Sequence, residues 1–245
     1  MLYYSTNGKA PAADLRKAVV KGLAEDRGLY MPEHITRMPD DFFDNIAGMS
    51  FQDISCAVAD AFFGEDVPGA ELHRIVRETL SFDCPVVRVE DSIYSLELFH
   101  GPTLAFKDVG ARFMARLLKY FTNDGDKRPL NVLVATSGDT GSAVANGFLG
   151  VEGIRVFVLY PKGKVSPIQE SQFTTLGRNI TAIEVDGVFD DCQTLVKNAF
   201  MDEELNSRLR LTSANSINVA RFLPQSFYYF NAYAQMKARG LAGNL

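Results

Sequence analysis

Val132-Leu-Val-Ala-Thr-Ser-Gly-Asp-Thr-Gly-Ser-Ala-Val-Ala-Asn-Gly-Phe148 joins a short apolar run to a turn of small polar residues and then to a segment with helical spacing through Val144 and Phe148. The pattern recurs downstream. Val156 to Tyr160 is followed by a helix near Gln169 to Leu176, and Ile180 to Val185 by a helix from about Asp190 to Phe200. Leu209 to Leu211 leads through Ser213-Ala214-Asn215 into a long helix expected to end near Arg239. Short, nearly continuous apolar strands alternating with helices predict an α/β fold, with a parallel sheet covered on both faces. In such open sheets ligands bind beyond the carboxyl ends of the strands. The loops after Val134, Tyr160 and Leu211 all belong to that edge. They carry Ser137-Gly138-Asp139-Thr140-Gly141, Lys162-Gly163-Lys164 and Ser213-Ala214-Asn215-Ser216.

Upstream the character changes. Residues 1–84 read as a mostly helical amino-terminal domain, with apolar stripes at Ala18, Val19, Gly22 and Leu23 and at Val58, Ala61 and Phe62. Residues 85–245 read as the α/β region that carries the chemistry. Composition fits a globular protein: 47% hydrophobic and 22% charged residues, 19 glycines and 10 prolines in 245, and a net charge of -5. There is no basic arm for nucleic acid. Cys56, Cys84 and Cys192 are widely spaced without a CxxC pair, and the three histidines are scattered, so zinc-site spacing is missing and no metal is expected. The thiols are read as buried, in a reducing compartment. The amino terminus has no basic stretch followed by an apolar one, and no run approaches the roughly 18 apolar residues of a membrane span. The expectation is a cytoplasmic protein acting on a small molecule.

Three clusters carry candidate chemistry. In Glu97-Leu-Phe-His-Gly-Pro-Thr-Leu-Ala-Phe-Lys-Asp108, Lys107 follows Leu104, Ala105 and Phe106, an apolar wall that would desolvate its amine for Schiff-base chemistry. The alternative is a lysine that starts a helix and pairs with Asp108. The Ser137–Gly141 turn offers glycines for close backbone approach, amides at a helix start for an anion, and hydroxyls at Ser137 and Thr140. The alternative is a capped strand-to-helix connection. Neither GxGxxG nor a P-loop is present, because Gly163-Lys164 is followed by Val165. Ser213 to Asn218 is dense in short polar side chains, which serve equally as turn formers. Lys162 and Lys164 read alone as solvated charges. His100 is either a base or a hydrogen-bonded structural residue.

Taken together and in order, four stretches resemble the threonine synthases, in the longer form typical of many bacteria and fungi. They are Glu97 to Met114, Ala135 to Gly141, Tyr160 to Pro167 and Ser213 to Asn218. Tyr4-Ser5-Thr6, Gly22-Leu23-Ala24 and Gly28-Leu29-Tyr30 fit the same family, so the resemblance runs over essentially the whole chain. It implies the tryptophan-synthase-β-like (fold-type II) architecture of pyridoxal 5'-phosphate enzymes. It also implies that Lys107 holds the cofactor and serves as the catalytic base, with Phe106 and Asp139 as further cofactor contacts. Ser137, Gly138, Thr140 and Gly141 are implied at the substrate carboxylate. Lys162, Lys164, Ser213, Asn215 and Asn218 are implied at the substrate phosphate. The implied reaction converts O-phospho-L-homoserine and water to L-threonine and phosphate, as a carbon-oxygen lyase of threonine biosynthesis. A serine or threonine dehydratase on the same scaffold keeps Lys107 but needs no phosphate site, and a non-catalytic fragment needs neither. The family's glycine-rich loop for the cofactor phosphate, and its hydroxyl residue at the pyridine nitrogen, lie further along than Leu245. The expectation is therefore a chain truncated at its carboxyl end, poor at binding cofactor and inactive alone.

Overall fold

The computed structural model describes residues 1–122, 128–241 and 243. The chain opens with strand β1 (Tyr3–Ser5), which pairs antiparallel with β2 (Tyr30–Pro32). Helices α1 (Leu15–Lys21), α2 (Asp40–Asn45), α3 (Phe51–Phe63) and α4 (Gly69–Thr79) fill the rest of this region. The stripe read at Ala18 and Val19 lies on α1 and is buried, but Gly22 closes that helix, so Leu23 stands outside it. Val58, Ala61 and Phe62 are buried on α3, whose start is capped by Ser50 accepting from Asp53 N–H.

An antiparallel hairpin, β3 (Val86–Glu90) and β4 (Ile93–Leu96), leads through an irregular loop to α5 (Lys107–Thr122). Then come β5 (Leu130–Ala135), α6 (Asp139–Gly147), β6 (Ile154–Pro161), α7 (Pro167–Thr174), β7 (Ile180–Val185), α8 (Phe189–Met201), α9 (Glu203–Leu209) and β8 (Leu211–Ser213). Short α10 (Val219–Phe222) and α11 (Phe227–Ala238) follow. The sheet order is β7-β6-β5-β8, all parallel, with Val132 opposite Val156 and Thr212. Hence β5 is central to the three strands whose loops the sequence placed at one edge.

Alternation along β5 explains the layers. Val132 and Val134 face one core cluster, which runs from Tyr3 through α3, α5 and α6 to Ala234. Leu133 and Ala135 face the other way, toward Leu159, Cys192 and Val196 beneath α8. Cover is unequal: the first face is sealed, whereas Leu133, Ala135 and Phe157 on the second are half-buried.

Two elements differ from the sequence reading. Leu209 ends α9 rather than starting a strand: Asp202 caps that helix through Leu205 N–H (2.9 Å), and Arg210 leaves it in a left-handed conformation (φ 46°). The expected long helix is broken into α10, a 3-10 turn at Leu223–Ser226 and α11, because Pro224 lacks the N–H that would continue the α ladder. Cys56, Cys84 and Cys192 are free and buried, and burial raises the Cys84 thiol to about 12. Among the described residues, no helix is long and apolar enough to cross a membrane.

Candidate active site

The strand-to-helix turn after β5 is built around Thr136. Its buried Oγ1 accepts from Gly138 N–H (3.0 Å) and Gly141 N–H (2.8 Å), and donates to Gly138 O (3.1 Å). Gly138 has φ +155°, a conformation that side-chain-bearing residues rarely adopt, and a Cβ there would lie 2.5 Å from Gln169 Oε1, so glycine is favoured. The turn thereby delivers Asp139 and Thr140 at the start of α6.

Lys107 begins α5 and reaches across to that turn. Its Nζ donates to Thr140 Oγ1 at 2.8 Å and to Asp139 Oδ1 at 3.2 Å, with Asp139 Oδ2 at 3.1 Å. The lysine side chain is 19% exposed and Asp139 44% exposed, so the amine sits in a crevice, under a half-open carboxylate. The backbone on either side is anchored. Tyr228 O–H of α11 donates to Phe106 O (2.6 Å), and buried Asp108 accepts from Thr103 N–H (2.9 Å) and Thr103 Oγ1 (2.6 Å). Asp108 is thus turned away from Lys107 and does not supply the simple helix-start pair. The apolar wall is narrower than the sequence implied. The Phe106 ring lies 5.7 Å from Nζ, but Leu104 is 68% exposed, because its left-handed backbone (φ 59°) swings it outward.

The other candidates divide. Ser137 is exposed at the rim of the turn, while Gly138 and Gly141 are buried in it. Ser213, the last residue of β8, and Asn215 just beyond it are half-buried, with Asn215 N–H donating to Ser213 Oγ (3.3 Å). Asn218 is committed to structure: its Nδ2 donates to Val19 O (2.8 Å) and its Oδ1 accepts from Ala220 N–H (3.0 Å). Lys162 is exposed and paired with Glu184 of β7 at 3.7 Å, and Lys164 is exposed. Neither is brought to Lys107 by a contact in the described residues. His100 hydrogen-bonds Glu97 (2.7 Å) rather than any group of the turn.

The residue missed in the sequence is Arg221. It is fully buried on α10, donates through one Nη to Ala214 O, and leaves Nε and the other Nη without a hydrogen-bond partner. Burial pulls the guanidinium down to about 10, against the opposing pull of Asp108 and then Asp139. A Cβ on Gly110 would meet Arg221 O at 2.5 Å and Nε at 3.3 Å, so this cation lies against the first turn of α5, one turn from Lys107. Arginine after two apolar-small residues carries no sequence signal of burial; only the α5–α10 crossing reveals it.

Residues 2–80 match the family model for the threonine synthase N terminus. Threonine synthase of Escherichia coli (strain K12) is 45% identical over 236 residues, covering 96% of this chain and 54% of that one. Over nearly its whole length the chain is similar to the threonine synthases. The crystal structure of the E. coli family member superposes with a TM-score of 0.87 over the same shares of the two chains. A pyridoxal-phosphate-bound threonine synthase from Brucella melitensis matches at 38% identity and TM-score 0.87, covering 99% of this chain and 57% of that one. The yeast family member gives 0.88 at 38% identity, over 98% and 50%. The chain therefore spans about half the length of the relatives it matches.

Proposed function

We propose that this chain carries the lysine-bearing part of a pyridoxal-phosphate-dependent threonine synthase, acting on O-phospho-L-homoserine and water. The observation that carries the reading is the Lys107 amine, withdrawn from bulk water and bonded to Thr140 and Asp139. The donor set fits the cofactor: a sheltered primary amine, an aromatic ring at Phe106 and the Asp139 carboxylate converge at the carboxyl edge of a parallel sheet. Lys107 would hold it covalently, with Phe106 and Asp139 beside it. When bound, pyridoxal phosphate supplies an electron sink for a carbanion at the substrate Cα.

The rest of the work falls to side chains. Lys107, once free, moves protons at Cα, Cβ and Cγ of the substrate, with Asp139 and Thr140 holding its amine in reach. The Ser137–Gly141 turn takes the substrate carboxylate. For the leaving phosphate, the cation offered is buried Arg221, whose Nε and one Nη have no partner, with the Ser213 hydroxyl and the Asn215 amide on the segment that leads from β8 into its helix. Lys162 and Lys164, exposed on the loop after β6, are the other cations of that edge. Arg221 also favours a substrate with a second anionic group, which the dehydratase alternative lacks. In this division, residues 1–84 buttress α5 and α11, residues 85–245 contribute the ligand loops, and the location is cytoplasmic.

The test is product analysis with the gene's whole product. Phosphate and L-threonine released from O-phospho-L-homoserine, together with no ammonia from L-serine or L-threonine, is the expected result. Deamination without phosphate release would replace this reading with the dehydratase. Arg221→Gln is expected to raise KM for phosphohomoserine by roughly tenfold or more, the scale of one charge-assisted hydrogen bond.

A further inference from the structure

The Thr136 hub uses up much of the turn's capacity to bind an anion. Gly138 and Gly141 amides both point at Thr136 Oγ1, and Thr140 N–H is engaged by Asp139 Oδ1 (2.9 Å). Among the described residues only the amides of Ser137 and Asp139 are left without an acceptor at the front of α6. A carboxylate has two oxygens and about four acceptor directions, so the two amides, even with the Ser137 hydroxyl, leave room for a further donor.

A further donor stands at that point. Ser166 caps α7 by accepting Gln169 N–H (3.4 Å), and its own hydroxyl donates to Gln169 Oε1 (3.1 Å). This fixes the carboxamide with Nε2 as its free donor. That nitrogen lies 2.9 Å from where a Cβ on Gly138 would stand, so the amide plane covers the turn. The helix behind it is stapled to both ligand loops. Ser142 Oγ donates to Gln169 O (3.2 Å), Gln172 Nε2 to Thr103 O (3.5 Å), and Phe173 packs edge-on against Tyr160.

We propose that Gln169 is a substrate-contacting residue whose Nε2 donates to the α-carboxylate of the amino-acid substrate, beside the Ser137 and Asp139 amides. This assignment rests on the threonine synthase reading for the identity of the substrate, and it makes α7 the element that selects for an amino acid over the corresponding amine.

The experiment compares wild type with Gln169→Met, which keeps side-chain length without the donor, and Gln169→Glu, which sets a negative charge there. Three quantities are read: steady-state kinetics with O-phospho-L-homoserine, pyridoxal phosphate affinity, and calorimetric binding of L-threonine against its decarboxylated counterpart 1-aminopropan-2-ol. Gln169→Met is expected to raise KM and the L-threonine Kd about tenfold, and Gln169→Glu about a hundredfold. Cofactor affinity and the binding of the amine should stay within about twofold. Equal weakening of L-threonine and the amine, unchanged L-threonine binding, or loss of cofactor affinity in Gln169→Met would each overturn the proposal. If wild type fails to turn over phosphohomoserine, the functional reading falls by itself; the amino-acid and amine pair still decides the role of Gln169.

Discussion

Thr136 shows how one hydroxyl shapes a ligand turn. Replacing it with valine keeps the volume but strips an acceptor from two amides in a buried corner. Each unsatisfied buried group costs about 1–3 kcal/mol, so Thr136→Val is expected to lose roughly 2–4 kcal/mol in urea unfolding. An unchanged midpoint would mean that the turn is held elsewhere. Two asparagines that look alike in the sequence separate here. Asn218→Ala removes two buried hydrogen bonds and should cost about 2 kcal/mol of stability. Asn215 is half-buried, and its side chain makes no hydrogen bond within the described residues, so Asn215→Ala should leave the unfolding midpoint in place while weakening substrate. The Ser213–Asn218 stretch announced its polarity in the sequence, but not the direction each side chain takes. That direction is set by α1, nearly 200 residues upstream, whose Val19 carbonyl claims Asn218. Lys107 was legible because its motif is local. Arg221 was not, since its burial comes from a helix crossing that no nearby residue encodes.

At the scale of elements, the crossing of α5 and α10 sets buried Arg221 against the first turn of α5, the turn that Lys107 opens. Gly110 permits it, because any Cβ there would run into the Arg221 backbone at 2.5 Å. Gly110→Ala should therefore force the helices apart and cost more than the usual gain in helix propensity, with a net loss of about 1–3 kcal/mol and a displaced Arg221. A stabilised variant would show that the crossing has slack. The strands and larger helices were readable for a plain reason: β5, β6 and β7 are short strands rich in apolar residues, followed in turn by α6, α7 and α8. The elements that were missed lack such a pattern. Helix α9 is short and mostly exposed, defined by its Asp202 cap and not by an apolar stripe. The break before α11 rests on Pro224, which a reading based on apolar spacing alone runs through. Hairpin β3–β4 buries Val86 but leaves Val87, Val89 and Ile93 exposed, so alternation gave no inner face to recognise.

Across the whole molecule, the amino-terminal region is tied to the ligand region rather than appended to it. Thr212 Oγ1 donates to Val20 O (2.6 Å) beside the Asn218 bond, and Arg112 of α5 donates to the Thr79 and Glu78 carbonyls that end α4. The amino-terminal fold is itself held by Asp26, which accepts from Ser5 Oγ (2.5 Å) and from the amides of Lys9, Ala10 and Gly28. These bonds, Ser5 foremost, lower its carboxyl from 3.8 to about 2. A depressed carboxyl stabilises the fold fully above its ordinary value and loses that contribution as pH falls toward the folded-state value. Asp26→Asn should therefore lower the thermal midpoint at neutral pH, and the gap to wild type should close between about pH 4 and pH 2. A gap that persists at pH 2 would contradict this role. The proposed function turns on one amine and its aldehyde cofactor. Incubating the gene's whole product with pyridoxal 5'-phosphate, reducing with borohydride and mapping the peptides should place a single stoichiometric label on Lys107, absent in Lys107→Ala. Label spread over exposed lysines such as Lys162 and Lys164, and undiminished in Lys107→Ala, would contradict it.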